Sequence, residues 1–265
     1  MEMTTLAGLV FALIGLLGGM IFKHVPLSNL ANPAAIFIIL IGTVGAVLNA
    51  TPGKDIKNVG KLFKIIFAGN KTPYTNEETI NLLTDLSQLA RKEGLLVLEK
   101  KAAEVKDPFL VRGLNMTITG ETGEAIFDTL AQEIEAMESR HQANAQIFSQ
   151  AGAYAPTLGV LGAVIGLIAA LGNMEDQHAL GVAISAAFMA TVYGIFTGYV
   201  LWHPFANKLK RKSKIEALNK RIILEGILLI QAGTSPNMLK DKLFAFISEK
   251  ERGSFPQQSG DGSSA

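Results

Sequence analysis

Hydroxyl groups inside apolar stretches can act as ligands or relay points for a small cation, and this sequence concentrates them. Thr157 lies in one apolar run; Ser185, Thr191, Tyr193 and Thr197 lie in the next. The first of these runs also holds Pro156, whose missing N–H frees a backbone carbonyl that something must satisfy or exploit. Around it stand Gly152, Ala155, Gly159, Gly162, Ala163, Gly166, Ala169 and Ala170, small residues that let another helix come close. Each signal also has a plain structural reading. Small residues pack helices, and a threonine in a membrane helix more often bonds its own backbone than a passing ion. Their concentration in two neighbouring stretches points instead to a narrow path lined by hydroxyls and carbonyls.

Absences narrow the chemistry further. No Asp, Glu, Lys, Arg or His falls inside the apolar stretches, so the chain has no side-chain acid to carry a proton across a bilayer centre. Either it moves no ions, or a partner supplies the carboxylate. His24, His141, His178 and His203 lie far apart without ligand spacing and are expected as isolated surface or interfacial side chains. With no cysteine, a disulfide scaffold, an iron–sulfur site and a catalytic thiol are excluded. There is no Walker-type phosphate loop, no H-E-x-x-H and no nucleophile–base or metal constellation, so an enzyme is the least favoured class. Lys and Arg total 24 against 23 Asp and Glu, a balance that argues against a nucleic-acid binder.

The elements that must position these residues follow from composition. Of 265 residues, 49% are hydrophobic and only 18% charged, and mean hydropathy is +0.30. That is too little polar surface to coat a soluble globule. Stretches long enough to cross a bilayer run from Leu6 to Phe22, extendable through Met3, from Ala31 to Ala50, from Phe148 to Leu171 and from Leu180 to Trp202. The first lacks the basic start and small-residue cleavage site of a signal peptide and reads as a retained anchor.

Flanking charge sets the orientation. The short loop from Lys23 to Leu30 holds one Lys; that from Gly172 to Ala179 holds no Lys or Arg and carries Glu175 and Asp176. Lys54, Lys57, Lys61 and Lys64 follow the second span, and Lys208, Lys210, Arg211, Lys212 and Lys214 follow the fourth. Both long polar stretches are therefore expected in the cytoplasm. The result is an all-α membrane protein with four transmembrane helices in two hairpins and a large helical cytoplasmic insert.

The expected divisions are a first hairpin over 1–50, the insert over 51–147, a second hairpin over 148–202, a cytoplasmic helical extension over 203–250 and a disordered tail over 251–265. Within the insert, Thr75-Asn76-Glu77-Glu78 reads as a capping box, followed at helical spacing by Ile80, Leu83, Leu86 and Leu89. Gly94 interrupts only mildly; Leu95, Leu98 and Ala102 resume the stripe before Asp107-Pro108 breaks it. From Glu121 a long pattern aligns Ile126, Leu130, Ile134 and Met137 and continues into the third span. The fourth span likewise extends inward through Phe205 and Leu209.

Four stretches, Leu30 to Ala35, Arg91 to Leu96, Tyr154 to Gly159 and Trp202 to Asn207, resemble the MotA flagellar motor stator proteins in their Bacillus-like form, within the MotA/TolQ/ExbB family. The likeness covers nearly the whole chain except the tail. It implies a homopentamer in the bacterial inner membrane, with two copies of MotB for every five of this chain. MotB would contribute the missing ion-carrying Asp, and the rotor partner would be FliG. The energy source would be the transmembrane proton gradient, with no cofactor and no metal. By family position Arg91 and Glu99 correspond to the charged pair that engages FliG; on one continuous helix they would stand about 12 Å apart and roughly on one side. Charge alone favours a solvated face there. Pro156 and Pro204 correspond to prolines that couple ion passage to conformational change, and Thr191 to a polar position of the ion path.

Sodium-using relatives carry Thr where Ala163 stands here, which favours protons, since sodium needs several oxygen ligands in place of its water shell. Three alternatives stay open: a sodium-driven stator, a TolQ/ExbB-type energising subunit, and a membrane scaffold without transport. TolQ/ExbB-type subunits have three spans and lack the first-hairpin arrangement.

Overall fold

The computed structural model describes residues 3–68, 72–172 and 174–252. Among these residues the chain is helical, with no strand. In order come α1 (Met3–Phe22), a 3₁₀ turn (Leu27–Leu30), α2 (Pro33–Ala50), α3 (Gly53–Ile56), α4 (Val59–Phe67) and α5 (Asn76–Glu93). A second 3₁₀ turn (Leu95–Val97) precedes α6 (Leu98–Ala102), α7 (Pro108–Ile118), α8 (Gly123–Leu171) and α9 (Gln177–Phe196). A π-helical turn (Thr197–Trp202) then leads into α10 (His203–Gln231), α11 (Pro236–Phe244) and α12 (Glu249–Arg252). Four candidate membrane spans lie in Met3–Phe22, Leu27–Ala50, Gly123–Leu171 and Gln177–Gln231, as the hydropathy pattern requires. Of the tail read as disordered, Glu251 and Arg252 instead belong to α12, where the Ser248 hydroxyl caps the turn against Glu251; residues 253–265 lie outside the described residues.

The chain forms two compact units, Met1–Asn70 with Arg140–Lys212, and Lys71–Ser139 with Ser213–Ala265. In the first unit α1 buries only Met20 and leaves Phe11, Ile14 and Phe22 exposed, a face suited to lipid. Asn32 starts α2: its side-chain oxygen accepts from Ala35 N at 3.1 Å, and Pro33 occupies the first helical position. The same amide donates to Ala186 O at 3.0 Å, while Asn29 Nδ2 donates to Ser185 Oγ at 3.0 Å, so two asparagines tie the α2 entry to α9.

Below α2, α4 buries Leu62 and Ile66 and exposes Lys61 and Lys64. Its aromatic Phe63 meets Phe148 edge-on at 5.2 Å, and Phe148, Trp202 and Phe205 extend the cluster. Lys212 Nζ closes the C-terminal end of α4 by donating to Ile65 O at 2.7 Å and Ala68 O at 2.5 Å. Two of the carbonyls left open at that helix end are satisfied in this way.

The second unit is a helical bundle built on the expected stripes. Ile80, Leu83 and Leu86 of α5 are buried with Leu98 of α6, Leu110 and Leu114 of α7, Ile126, Leu130, Ile134 and Met137 of α8, and Ile222, Ile223 and Ile227 of α10. The capping box is formed: Thr75 N donates to Glu78 Oε2 at 2.7 Å and Glu78 N donates to Thr75 Oγ1 at 3.2 Å. Those bonds, the backbone one first, hold the Glu78 carboxyl below its ordinary range. Asp107 is buried at the head of α7 and accepts from Phe109 N and Leu110 N at 2.8 and 3.2 Å. Buried Asn219 donates to Thr79 Oγ1 at 2.9 Å and Asn76 Oδ1 at 3.2 Å, which fixes α10 against the start of α5.

Gly94 is stronger punctuation than the hydrophobic stripe suggests. Its backbone sits at φ 85°, ψ 167°, a region open essentially to glycine alone, and it ends α5 at Glu93. Arg91 therefore lies in the last turn of α5 and Glu99 in the first turn of α6. The single continuous helix expected to carry both is not formed, and the 12 Å spacing derived from it no longer applies.

Candidate functional site

The small residues of α8 face an equally small-sided partner. A Cβ placed on Gly159 would lie 2.9 Å from Ala190 O and 3.0 Å from Gly194 Cα; one on Gly194 would lie 2.6 Å from Ala155 O and 2.9 Å from Gly159 Cα. At this crossing α8 and α9 touch backbone to backbone, an approach that any larger side chain would prevent. The seam continues deeper, where Cβ positions on Gly162 and Gly166 would fall 3.1 and 2.9 Å from the Cβ atoms of Ala190 and Ala187. Ala163 and Thr191 follow directly on Gly162 and Ala190, so the two residues expected to set the polarity of the path flank a point of contact. Both are half-buried.

The two prolines also converge on this pair of helices. Pro156 has no N–H to offer the carbonyl of Gly152, four residues earlier. Gly198, in the π turn, packs on both groups: a Cβ there would lie 2.8 Å from Pro156 Cγ and 2.9 Å from Gly152 O. Pro204 stands at the second position of α10, immediately after the π turn, and is exposed. Pro204 brings no N–H to the backbone ladder directly after His203, whose N–H donates to Gly198 O five residues back, and π turns occur where the regular hydrogen-bond ladder is interrupted. The His203 ring covers Gly152, whose Cβ position is 2.8 Å from three ring atoms.

The hydroxyls divide clearly. Thr157 Oγ1 donates to Tyr154 O and Thr197 Oγ1 to Tyr193 O, both at 2.7 Å, so each is spent on its own helix. Ser185 accepts from Asn29, and the Tyr193 hydroxyl donates to Leu30 O. Of the five, only Thr191 makes no hydrogen bond among the described residues. Among the described residues, no group of His, Asp and Glu is arranged to hold a metal ion.

In the second unit, Arg91 and Glu99 are exposed, and neither has an ion-pair partner among the described residues. Between them, on the turn fixed by Gly94, Leu96 is 73% exposed. Sequence reasoning passed over Leu96 because a leucine near a helical stripe is ordinarily core. It also passed over Gly194, Gly198 and the Asn29–Ser185 bridge. The two glycines were visible as small residues, but their opposite numbers on α8 were not.

The model of the MotA/TolQ/ExbB proton channel family matches residues 101–250, and that of the motility protein A N-terminal region matches residues 6–94. The chain belongs to the MotA/TolQ/ExbB proton channel family. It is 53% identical over 258 residues to motility protein A of Bacillus subtilis, with 97% of this chain and 95% of that protein covered. The structure of the flagellar MotAB stator complex from Bacillus subtilis contains a chain that superposes with a TM-score of 0.89, covering 95% of this chain and 98% of that one. The C. jejuni MotAB structure matches with the same TM-score at 30% identity, covering 94% of this chain and 97% of that one. Within this family the N-terminal match matters most, because it spans the first hairpin that a TolQ/ExbB-type subunit was expected to lack.

Proposed function

We propose that this chain is the A subunit of a flagellar motor stator, which with MotB forms a transmembrane proton channel and turns ion flow into torque on the rotor protein FliG. The observation that carries this is the α8–α9 seam. It offers a close-packed wall on which Thr191, alone among Thr157, Ser185, Thr191, Tyr193 and Thr197, keeps its hydroxyl unbonded among the described residues, and the apolar parts of the two helices carry no Asp, Glu, Lys, Arg or His. Such a wall conducts protons only when a partner helix brings the acid. Solved complexes of relatives are MotAB assemblies, which supports MotB as that partner.

Five copies of this chain surround two of MotB in the inner membrane, with the long polar stretches and the C-terminus in the cytoplasm. The orientation rests on exposed Lys54, Lys57, Lys61, Lys64, Lys210, Arg211 and Lys214 beside the spans. Pro156 and Pro204 couple ion passage to movement of α8 against the π turn, and Arg91 and Glu99 meet complementary charges on FliG. Energy comes from the proton gradient, without cofactor, metal or catalytic turnover. Ala163 favours protons because it withholds a ligand that dehydrated sodium would need.

The test is swimming of a stator-deficient strain supplied with this chain and its MotB. Speed is expected to collapse with a protonophore and to ignore external sodium at constant ionic strength. Speed that follows sodium and survives a protonophore would overturn the proton assignment. Failure to restore swimming, with both proteins present in the membrane, would overturn the stator assignment.

A further inference from the structure

A cavity of about 200 Å³ opens at the C-terminal end of α2, wholly within the first unit. Two of its lining side chains carry buried polar atoms without a partner: the hydroxyl of Thr43, a residue only 2% exposed, and the indole N–H of Trp202. Every other lining residue is apolar, Phe148 and Ala151 of α8 among them. Thr43 thus differs from Thr157 and Thr197, which spend their hydroxyls on their own helices. A buried donor left unpaired carries its full desolvation penalty, so two of them on one cavity mark a place for an acceptor. We propose that the cavity takes the ester-bearing start of a membrane lipid's acyl chain, whose carbonyl oxygen accepts from Trp202 Nε1–H and Thr43 Oγ1–H. A carbonyl oxygen has two lone pairs and can take both bonds.

Size and polarity select this guest. An apolar cavity of about 150 Å³ holds a benzene-sized molecule, so this one has room for an ester group and a few methylenes. Water fits poorly, because each molecule needs about 2–4 polar partners and the cavity supplies two unpartnered atoms for a volume of several waters. A charged headgroup fits worse, since no charged residue lines the walls. The source of the guest follows from the mouth. Val44 and Leu48 line the cavity and are exposed on α2, a candidate membrane span, so what reaches them comes from the bilayer. Depth agrees with an ester. Thr43 lies about 10 Å from the end of α2 at Ala50, and Val59 and Phe63 of α4, beyond the span, line the same cavity. That level is the boundary between headgroup and hydrocarbon. Binding here requires only that the chain lie in a bilayer; ion type and rotor contact do not enter, so its failure and that of the stator assignment are read separately.

Trp202 is the chain's single tryptophan, so its fluorescence reports on the cavity. The full complex with its MotB is reconstituted in vesicles of phosphatidylcholine whose acyl chains carry bromine, a contact quencher, close to the ester. Subtracting the emission of the Trp202→Phe complex removes any signal from MotB. Strong quenching is expected in the unmodified complex. Val47→Phe, which fills the cavity from α2, should lower it severalfold, while Gly45→Leu, on the same helix with nothing within 4 Å of a Cβ there, should not. Unbrominated diester lipid should restore emission at equal amounts, and the diether analogue, which lacks the carbonyl, only at about tenfold excess. The isosteric Thr43→Val should shrink that preference severalfold. Absence of quenching in the unmodified complex would mean water or an empty cavity and overturn the proposal. Equal quenching in Val47→Phe would assign the contact to bulk lipid and overturn it, as would equal displacement by diester and diether or an unchanged preference in Thr43→Val. Density in the assembled complex showing a side chain of a neighbouring copy in the cavity would have the same effect.

Discussion

Gly194→Ala is the most direct test of the α8–α9 seam. The added methyl would stand 2.6 Å from Ala155 O, 2.9 Å from Gly159 Cα and 3.2 Å from Gly159 N. The shortest of these is about 0.8 Å inside ordinary van der Waals contact, and all three neighbours are backbone, so no side-chain rotation relieves them. The helices must part, at a cost of about 1–3 kcal/mol by analogy with overpacked cores. Thr191 lies one turn from the site, so separation at Gly194 shifts the hydroxyl assigned to the ion path. Gly181→Ala, on the same helix with nothing within 4 Å of the new methyl, provides the matched control. Thermal denaturation of the purified complex should fall by several degrees for Gly194→Ala and stay within a degree or so for Gly181→Ala. Proton uptake by reconstituted vesicles should drop severalfold only in the first. If Gly194→Ala matches Gly181→Ala in both measurements, the helices are not in backbone contact there and the argument for a close-packed wall fails.

Reversal of either exposed charge, Arg91→Glu or Glu99→Lys, should impair swimming while membrane assembly and proton uptake persist, and a matching reversal on FliG should partly restore speed. Normal swimming by both variants would leave this face merely solvated. Purified without MotB, the chain should leave a proton gradient across vesicles intact, since its apolar spans carry no titrating relay; robust uptake would refute this. Loss of the α5 cap in Thr75→Ala should cost about 1 kcal/mol, visible as a lower unfolding midpoint at neutral pH. Because the Glu78 carboxyl is held below its ordinary value, its contribution is complete above the unfolded-state value and is lost as pH falls through the lowered one. The gap between wild type and Glu78→Gln should therefore narrow towards acid, and a gap that widens would contradict the capping bond.

Much of this architecture was legible in the sequence because it depends on local rules. Apolar length marked the spans, and the period of Ile126, Leu130, Ile134 and Met137 marked a helix face that is buried in full. The Thr75–Glu78 spacing gave the capping box for the same reason, since both partners lie within one turn. What escaped was set by pairing or by backbone conformation. Gly94 could have been a tolerated glycine inside a helix; only its observed φ and ψ separate Arg91 and Glu99 onto different helices. The hydroxyls of Thr157 and Thr197 counted equally with Thr191 until their bonds to Tyr154 O and Tyr193 O removed them.

The π turn is the feature whose cause and consequence meet most closely. Pro204 interrupts the ladder that would run from α9 into α10, and the six residues before His203 take up the wider turn. The wider turn contains Gly198, and only a residue without a side chain can sit on Pro156 Cγ and Gly152 O at the distances found. Gly152 O is itself the carbonyl that Pro156 leaves without a helical donor. The two prolines, 48 positions apart, thus loosen adjoining backbone segments that face each other across one glycine. Thr191, on α9, and Ala163, on α8, the residues proposed to line the ion path, lie on the helix that leads into this π turn and on the helix that holds Pro156.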